Sequence, residues 1–152
     1  MPQFIESYYL VDKRAGKLIF DFIRFHSIVK KPLADEYPVP QYSIFEDKIF
    51  KSDDELLTFL EANPTCAYNI YWENEVKESL IKQFSAHFTD DGKMILGVAV
   101  VGNNLDSEDS VRLFKKIKKH LNPSFACITS EEPPPSNSIE FADFCNRRFI
   151  PE

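Results

Sequence analysis

Glycine is scarce in this chain. Gly16, Gly92, Gly97 and Gly102 are the only four among 152 residues. No stretch matches the G-x-G-x-x-G fingerprint or the full G-x-x-x-x-G-K-[ST] phosphate loop. Loops that cradle phosphate need several glycines, because the backbone must approach the anion closely. Nucleotide binding by either device is therefore not expected. Cysteine is equally sparse and odd in number, with Cys66, Cys127 and Cys145 far apart. No C-x-x-C occurs, and His26, His87 and His120 show no H-x-x-x-H spacing, so local metal chelation has no support. The thiols read as free, mostly buried small hydrophobes in a reducing compartment. Long apolar runs are missing too. The longest, Met94 to Val101, is interrupted by Gly97 and is far too short to span a bilayer. Met1 to Tyr9 lacks a basic region followed by an apolar run, so no signal peptide is read there. The expectation is a cytoplasmic protein with no cofactor, no membrane contact and no direct contact with nucleic acid.

What the chain does have is ordinary globular composition, 43% hydrophobic and 28% charged. Its length predicts one domain, residues 1–152, able to bury a core. Fourteen Phe, six Tyr and one Trp favour a core of large rings with aromatics to spare for a surface. The formal net charge is −6, unevenly spread. Arg112, Lys115, Lys116, Lys118 and Lys119 share one segment free of acids. The other 13 basic residues stand against 24 acidic ones, a balance of −11. Such a surface repels phosphate backbones. It attracts and steers basic proteins.

Along the chain, Phe4 to Val11 reads as a strand, Asp12 to Gly16 as a turn, and Lys17 to Ser27 as a returning strand on its alternating apolar residues. Pro32, Pro38 and Pro40 make Lys30 to Gln41 a loop. A long ordered loop in a small domain is often functional. Ile44 to Phe50 is expected as an edge strand. Ser52 and Glu55 have capping-box spacing and open a helix stopped by Asn63-Pro64. Cys66 to Trp72 reads as a strand with Cys66, Tyr68, Ile70 and Trp72 on one face, followed by a charged turn at Glu73 to Glu78. Leu80 to Phe88 and Lys93 to Val101 flank Asp90-Asp91-Gly92, a hairpin signal. Ser107 caps a helix with Val111, Phe114, Ile117 and Leu121 on one stripe and the basic residues on its outer side. Ser124 to Thr129 is a strand, and Ser136 caps a last helix. The fold class is α+β: one mainly antiparallel sheet with two or three helices packed on it, near 52–62, 107–121 and 136–146.

Few residues single themselves out for function. Asp53, Asp54 and Asp91 have capping or turn roles. Glu131 and Glu132, before three prolines, have no evident folding role and read either as a solvated loop or as a site. The basic helix face complements the helix dipole and reads as solvated. Tyr71 faces away from Tyr68 and Trp72, which read as core, and stands beside Glu73 and Glu75. An aromatic beside acids suits an interface with a basic partner. The candidate partner-binding set is Glu131, Glu132, Glu73, Glu75 and Tyr71, with Asp35 and Glu36 on the proline loop. The competing readings are a small hydrolase or transferase using Glu131/Glu132 or a Cys-His pair formed in three dimensions, and an adaptor module.

The segments FTDDGKMILGVAVV, SVRLFKKIKKHL, FACITSEEPP and EFADF resemble the C-terminal halves of small bacterial immunity proteins of polymorphic and contact-dependent growth inhibition systems. The resemblance covers the last half of the chain and is one of element pattern, with no catalytic residues to carry over. It implies a non-enzymatic antidote that binds one cognate toxin domain, basic and often a nuclease, through an acidic surface.

Overall fold

The computed structural model describes residues 3–152. In chain order the elements are β1 (Phe4–Val11), α1 (Gly16–Phe25), β2 (Lys30–Pro32), β3 (Tyr37–Val39), β4 (Lys48–Phe50), α2 (Asp53–Ala62), β5 (Tyr68–Asn74), β6 (Gln83–Phe88), β7 (Met94–Val101), α3 (Glu108–Leu121), β8 (Phe125–Ser130) and α4 (Ser138–Asn146). The fold is α+β. Six strands form an antiparallel sheet in the order β2-β5-β6-β7-β1-β8, and β3 with β4 makes a separate two-stranded sheet.

Side chains alternate across the strands, and the two faces meet different helices. Tyr9, Ile70, Trp72, Phe84, Leu96 and Ile128 join Ile19 and Phe22 of α1, Leu56 and Leu60 of α2, and Phe114 and Ile117 of α3 in the main core. Its centre is a stack of rings: Phe84 lies 5.0 Å from Phe22 and 5.2 Å from Trp72. On the opposite face α4 buries Phe141, Phe144 and Cys145 against Tyr8, Leu10, Ile95 and Cys127. This short helix covers the sheet only over β8, β1 and β7. The face over β5 and β6 carries no helix.

Caps decide where the helices start. Ser52 Oγ accepts the Glu55 backbone N–H at 3.2 Å, and Ser107 Oγ that of Ser110 at 3.3 Å. The last helix is capped by Asn137 instead of Ser136: Asn137 Oδ1 accepts from the Ile139 and Glu140 backbone N–H groups, while the Ser136 carbonyl accepts from the Asp90 backbone N–H. The helix α2 ends on Arg14, which is buried. Its Nη1 donates to the carbonyls of Leu60, Asn63 and Cys66 at 2.9–3.0 Å, and its Nη2 donates to that of Thr89. Burial holds the Arg14 pKa below its ordinary value.

Several sequence expectations need correction. Lys17 to Ser27 is not a strand; α1 occupies it. Both edges of β1 are taken, by β7 and β8, so the returning strand has nothing to pair with. The helix buries Ile19 and Phe22 and leaves Phe20 and Phe25 exposed. With α1 there are four helices among the described residues, not two or three. The fifth strand is shifted: Cys66 lies before it, and Glu73 and Asn74 extend it. Of the expected Ile44–Phe50 strand only Lys48–Phe50 forms, paired with Tyr37–Val39 from the proline loop. Pro32 is tolerated because β2 is an edge strand, where a missing donor costs little.

Candidate functional site

The part of this sheet face beyond α4 is built from Asn69, Tyr71 and Glu73 of β5, Gln83, Ser85 and His87 of β6, Gly97 and Ala99 of β7, and Phe4, Glu6 and, at the edge of α4, Tyr8 of β1; of these Tyr8, Ser85, His87, Gly97 and Ala99 are buried. Tyr71 is the ridge of this surface, 39% exposed. On one side of it is a cavity of about 360 Å³ lined by Phe4, Glu6, Tyr8, Gln83, Ala99, Glu131 and Pro133 as well as Tyr71. On the other side a cavity of about 480 Å³ runs under the proline loop, with Leu33, Glu36, Tyr37, Tyr42, Tyr68 and Tyr71 among its walls. Gln41 holds that loop against the sheet. Its Nε2 donates to the Asn69 carbonyl at 2.8 Å, and its Oε1 accepts the Asn69 N–H at 2.7 Å. The tip beyond is apolar and unusually bare: Tyr42 is 81% exposed, Ile44 89% and Phe45 79%.

The floor is rigid. Gly97 pairs with Tyr8 and with Ser85 across the sheet. A Cβ there would come within 2.8 Å of the Tyr8 ring and 2.5 Å of Ser85 Oγ, so only glycine lets Tyr8 lie down on the strand. His87 is buried edge-on between Tyr8 and Tyr71, at ring separations of 5.7 and 5.4 Å. Its Nδ1 lies 2.8 Å from Asn69 Oδ1, which can only accept, so Nδ1 carries the proton. Nε2 then accepts from Ser85 Oγ at 2.9 Å. Burial drops its pKa to about 3, so the ring is neutral.

Among the candidate partner-binding residues, Tyr71 and Glu131 meet in the smaller cavity, and Tyr71 and Glu36 in the larger. Glu73 lies on the same strand face as Tyr71, paired with Lys77 at 3.4 Å. Glu75 and Asp35 are exposed outside both cavities. Glu132 differs from the expectation that it lacks a folding role. Its Oε2 lies 2.6 Å from Arg148 Nη2, and its Oε1 accepts from the Thr129 hydroxyl. The Arg148 and Thr129 hydrogen bonds hold its pKa below the usual carboxylate range.

Glu6, Tyr8, Gln83 and the bare loop tip were not singled out from sequence. Glu6 did leave a signal, as the one charged residue within the strand Phe4–Val11. Cys127 and His87 are not brought together: they lie on strands three spacings apart, about 14 Å. Among the described residues no group of three or more His, Cys, Asp or Glu is placed to hold a metal ion, and no helix is long and apolar enough to cross a membrane. No family model, curated protein or solved structure matches the chain.

Proposed function

We propose that this protein is an immunity protein that binds and neutralises a basic toxin domain through the open sheet face. The observation that carries the reading is Tyr71: a large amphipathic ring between two cavities, flanked by Glu6 and Glu131 on one side and Glu36 on the other. Interface hot spots are aromatic residues inside a ring of polar contacts, and carboxylates around them steer and align a basic partner. Tyr42, which lines the larger cavity, and the bare Ile44 and Phe45 close to it in the loop add apolar area of the kind that marks a protein contact. The element pattern of the C-terminal half, which resembles immunity proteins, supplies the class of partner.

The test is protection in cells. The product of the reading frame next to this gene is expressed with and without the chain. Growth arrest relieved by the wild-type chain, and not by the Tyr71→Ala/Glu131→Lys double variant at equal abundance, is the expected outcome. A neighbouring product that is harmless, or that is neutralised equally by the double variant, would overturn the proposal.

A further inference from the structure

The acids of this protein divide sharply. Five are not fully exposed: Glu6, Asp21, Asp53, Glu73 and Glu132. Four of them carry a cation from the chain itself. Asp21 has Arg24 at 2.6 Å, Asp53 has Lys30 at 2.7 Å, Glu73 has Lys77 at 3.4 Å and Glu132 has Arg148 at 2.6 Å. Glu6 alone has none among the described residues. Its donors are the Glu131 backbone N–H and the Tyr8 hydroxyl, whose one proton is shared between Glu6 Oε2 at 2.8 Å and the Glu132 carbonyl at 2.7 Å.

Glu6 lines the 360 Å³ cavity together with Tyr71, Phe4 and Glu131, whose Oε1 accepts the Phe4 backbone N–H at 3.3 Å. Two carboxylates and an aromatic wall around one small space match a planar cation that bonds through its edge and stacks through its face. That is a guanidinium more than an ammonium.

We propose that this cavity receives an arginine side chain of the partner, its guanidinium bonded to Glu6 and Glu131 and its plane against Tyr71. The inference names the partner's chemistry at the face described above and to that extent rests on the reading of it as a docking surface. Burial, together with the Glu131 and Glu132 charges, lifts the Glu6 pKa against the Tyr8 hydroxyl and the Glu131 backbone N–H. An entering cation would relieve that repulsion.

The experiment titrates the ¹⁵N-labelled protein with Nα-acetyl-arginine amide, using the citrulline and lysine analogues as comparisons. Expected are saturable amide shifts at Tyr8, Gln83, Ala99 and Glu131, no saturable shift with the neutral citrulline analogue, and weaker binding of lysine. Glu6→Gln keeps the Tyr8 contact and Tyr71→Ala leaves the core intact; each should weaken the arginine probe about tenfold without lowering Tm appreciably. Equal shifts from citrulline, equal affinity for lysine, or indifference to both substitutions would overturn the assignment. The probe needs no toxin, so this result and the protection assay can fail separately.

Discussion

Arg148 closes on Glu132 at 2.6 Å while its guanidinium lies 3.6 Å from the centre of the Phe144 ring. One side chain thus ties the turn after β8 to the helix that covers the other face. Glu132→Gln should cost about 1 kcal/mol, since the pair is partly screened by solvent. Thermal or denaturant unfolding measures it, and partner binding should change little. An unfolding midpoint identical to wild type would mean that the pair contributes nothing.

Its neighbour should behave in the opposite way. Glu131 is exposed and lines the smaller cavity. Glu131→Lys is expected to leave stability within about 0.5 kcal/mol. It should slow association with a basic partner, most at low salt. Stopped-flow binding over a salt series reads this directly. Two adjacent glutamates, one structural and one at the surface of a cavity, would then separate in a single pair of variants.

Arg14→Ala removes the donor from four carbonyls at the end of α2 and the β6–β7 turn. Buried acceptors left unpaired cost about 1–3 kcal/mol each before water compensates. A loss of roughly 3 kcal/mol or more in urea unfolding is expected, with Arg14→Lys recovering only part. A change under 1 kcal/mol would show that water replaces the guanidinium.

Gly97→Ala should displace the Tyr8 ring and Ser85 together, because the added methyl meets both. The expected cost is about 1–3 kcal/mol of overpacking. Altered amide shifts at Tyr8, Ser85 and His87 should accompany it. A variant as stable as wild type with an unmoved Tyr8 resonance would contradict the close fit.

His87 sets a pH dependence. Its folded pKa, about 3, lies below the ordinary 6.5, so the unfolded chain takes up the proton first as pH falls. Stability from this group is therefore complete above pH 6.5 and is lost between 6.5 and 3. The steepest loss is about 1.4 kcal/mol per pH unit. His26, with a pKa lowered to about 4 by burial, Lys116 and His120, adds a slope of the same sign. His87→Gln should flatten the stability curve between pH 6.5 and 4. An unchanged slope would show that another group governs it.

Part of this was legible in the amino-acid order. Ser52 with Glu55, Ser107 with its acidic first turn, and Asp90-Asp91-Gly92 are local chemistry, and the helices and hairpin they mark are present. Tyr68 and Trp72 were readable as core and Tyr71 as their opposite. The first helix was not legible, because in KLIFDFIRF the apolar residues satisfy both a two-residue and a helical period. What excluded the strand was the occupancy of both β1 edges, a fact from the far end of the chain. The site was hidden for the same reason. Glu6, Tyr71 and Glu131 meet only through the register of the sheet and the turn after its last strand, and no short-range pattern encodes that. Glu132 looked idle until Arg148, 16 residues on, was beside it.

The basic residues of α3 lie over the main core, on the side of the sheet away from Tyr71 and Glu6. The acids Asp53, Asp54, Glu55 and Glu61 of α2 share that side, so α1, α2 and α3 together sum to zero (+1, −4 and +3) and the net charge of −6 falls to the rest of the chain. An approaching basic body would exert a torque on it as well as a pull. Free in solution, the protein would turn its neutral helical side to the rear before any contact forms. Added salt should erase this alignment sooner than it erases affinity.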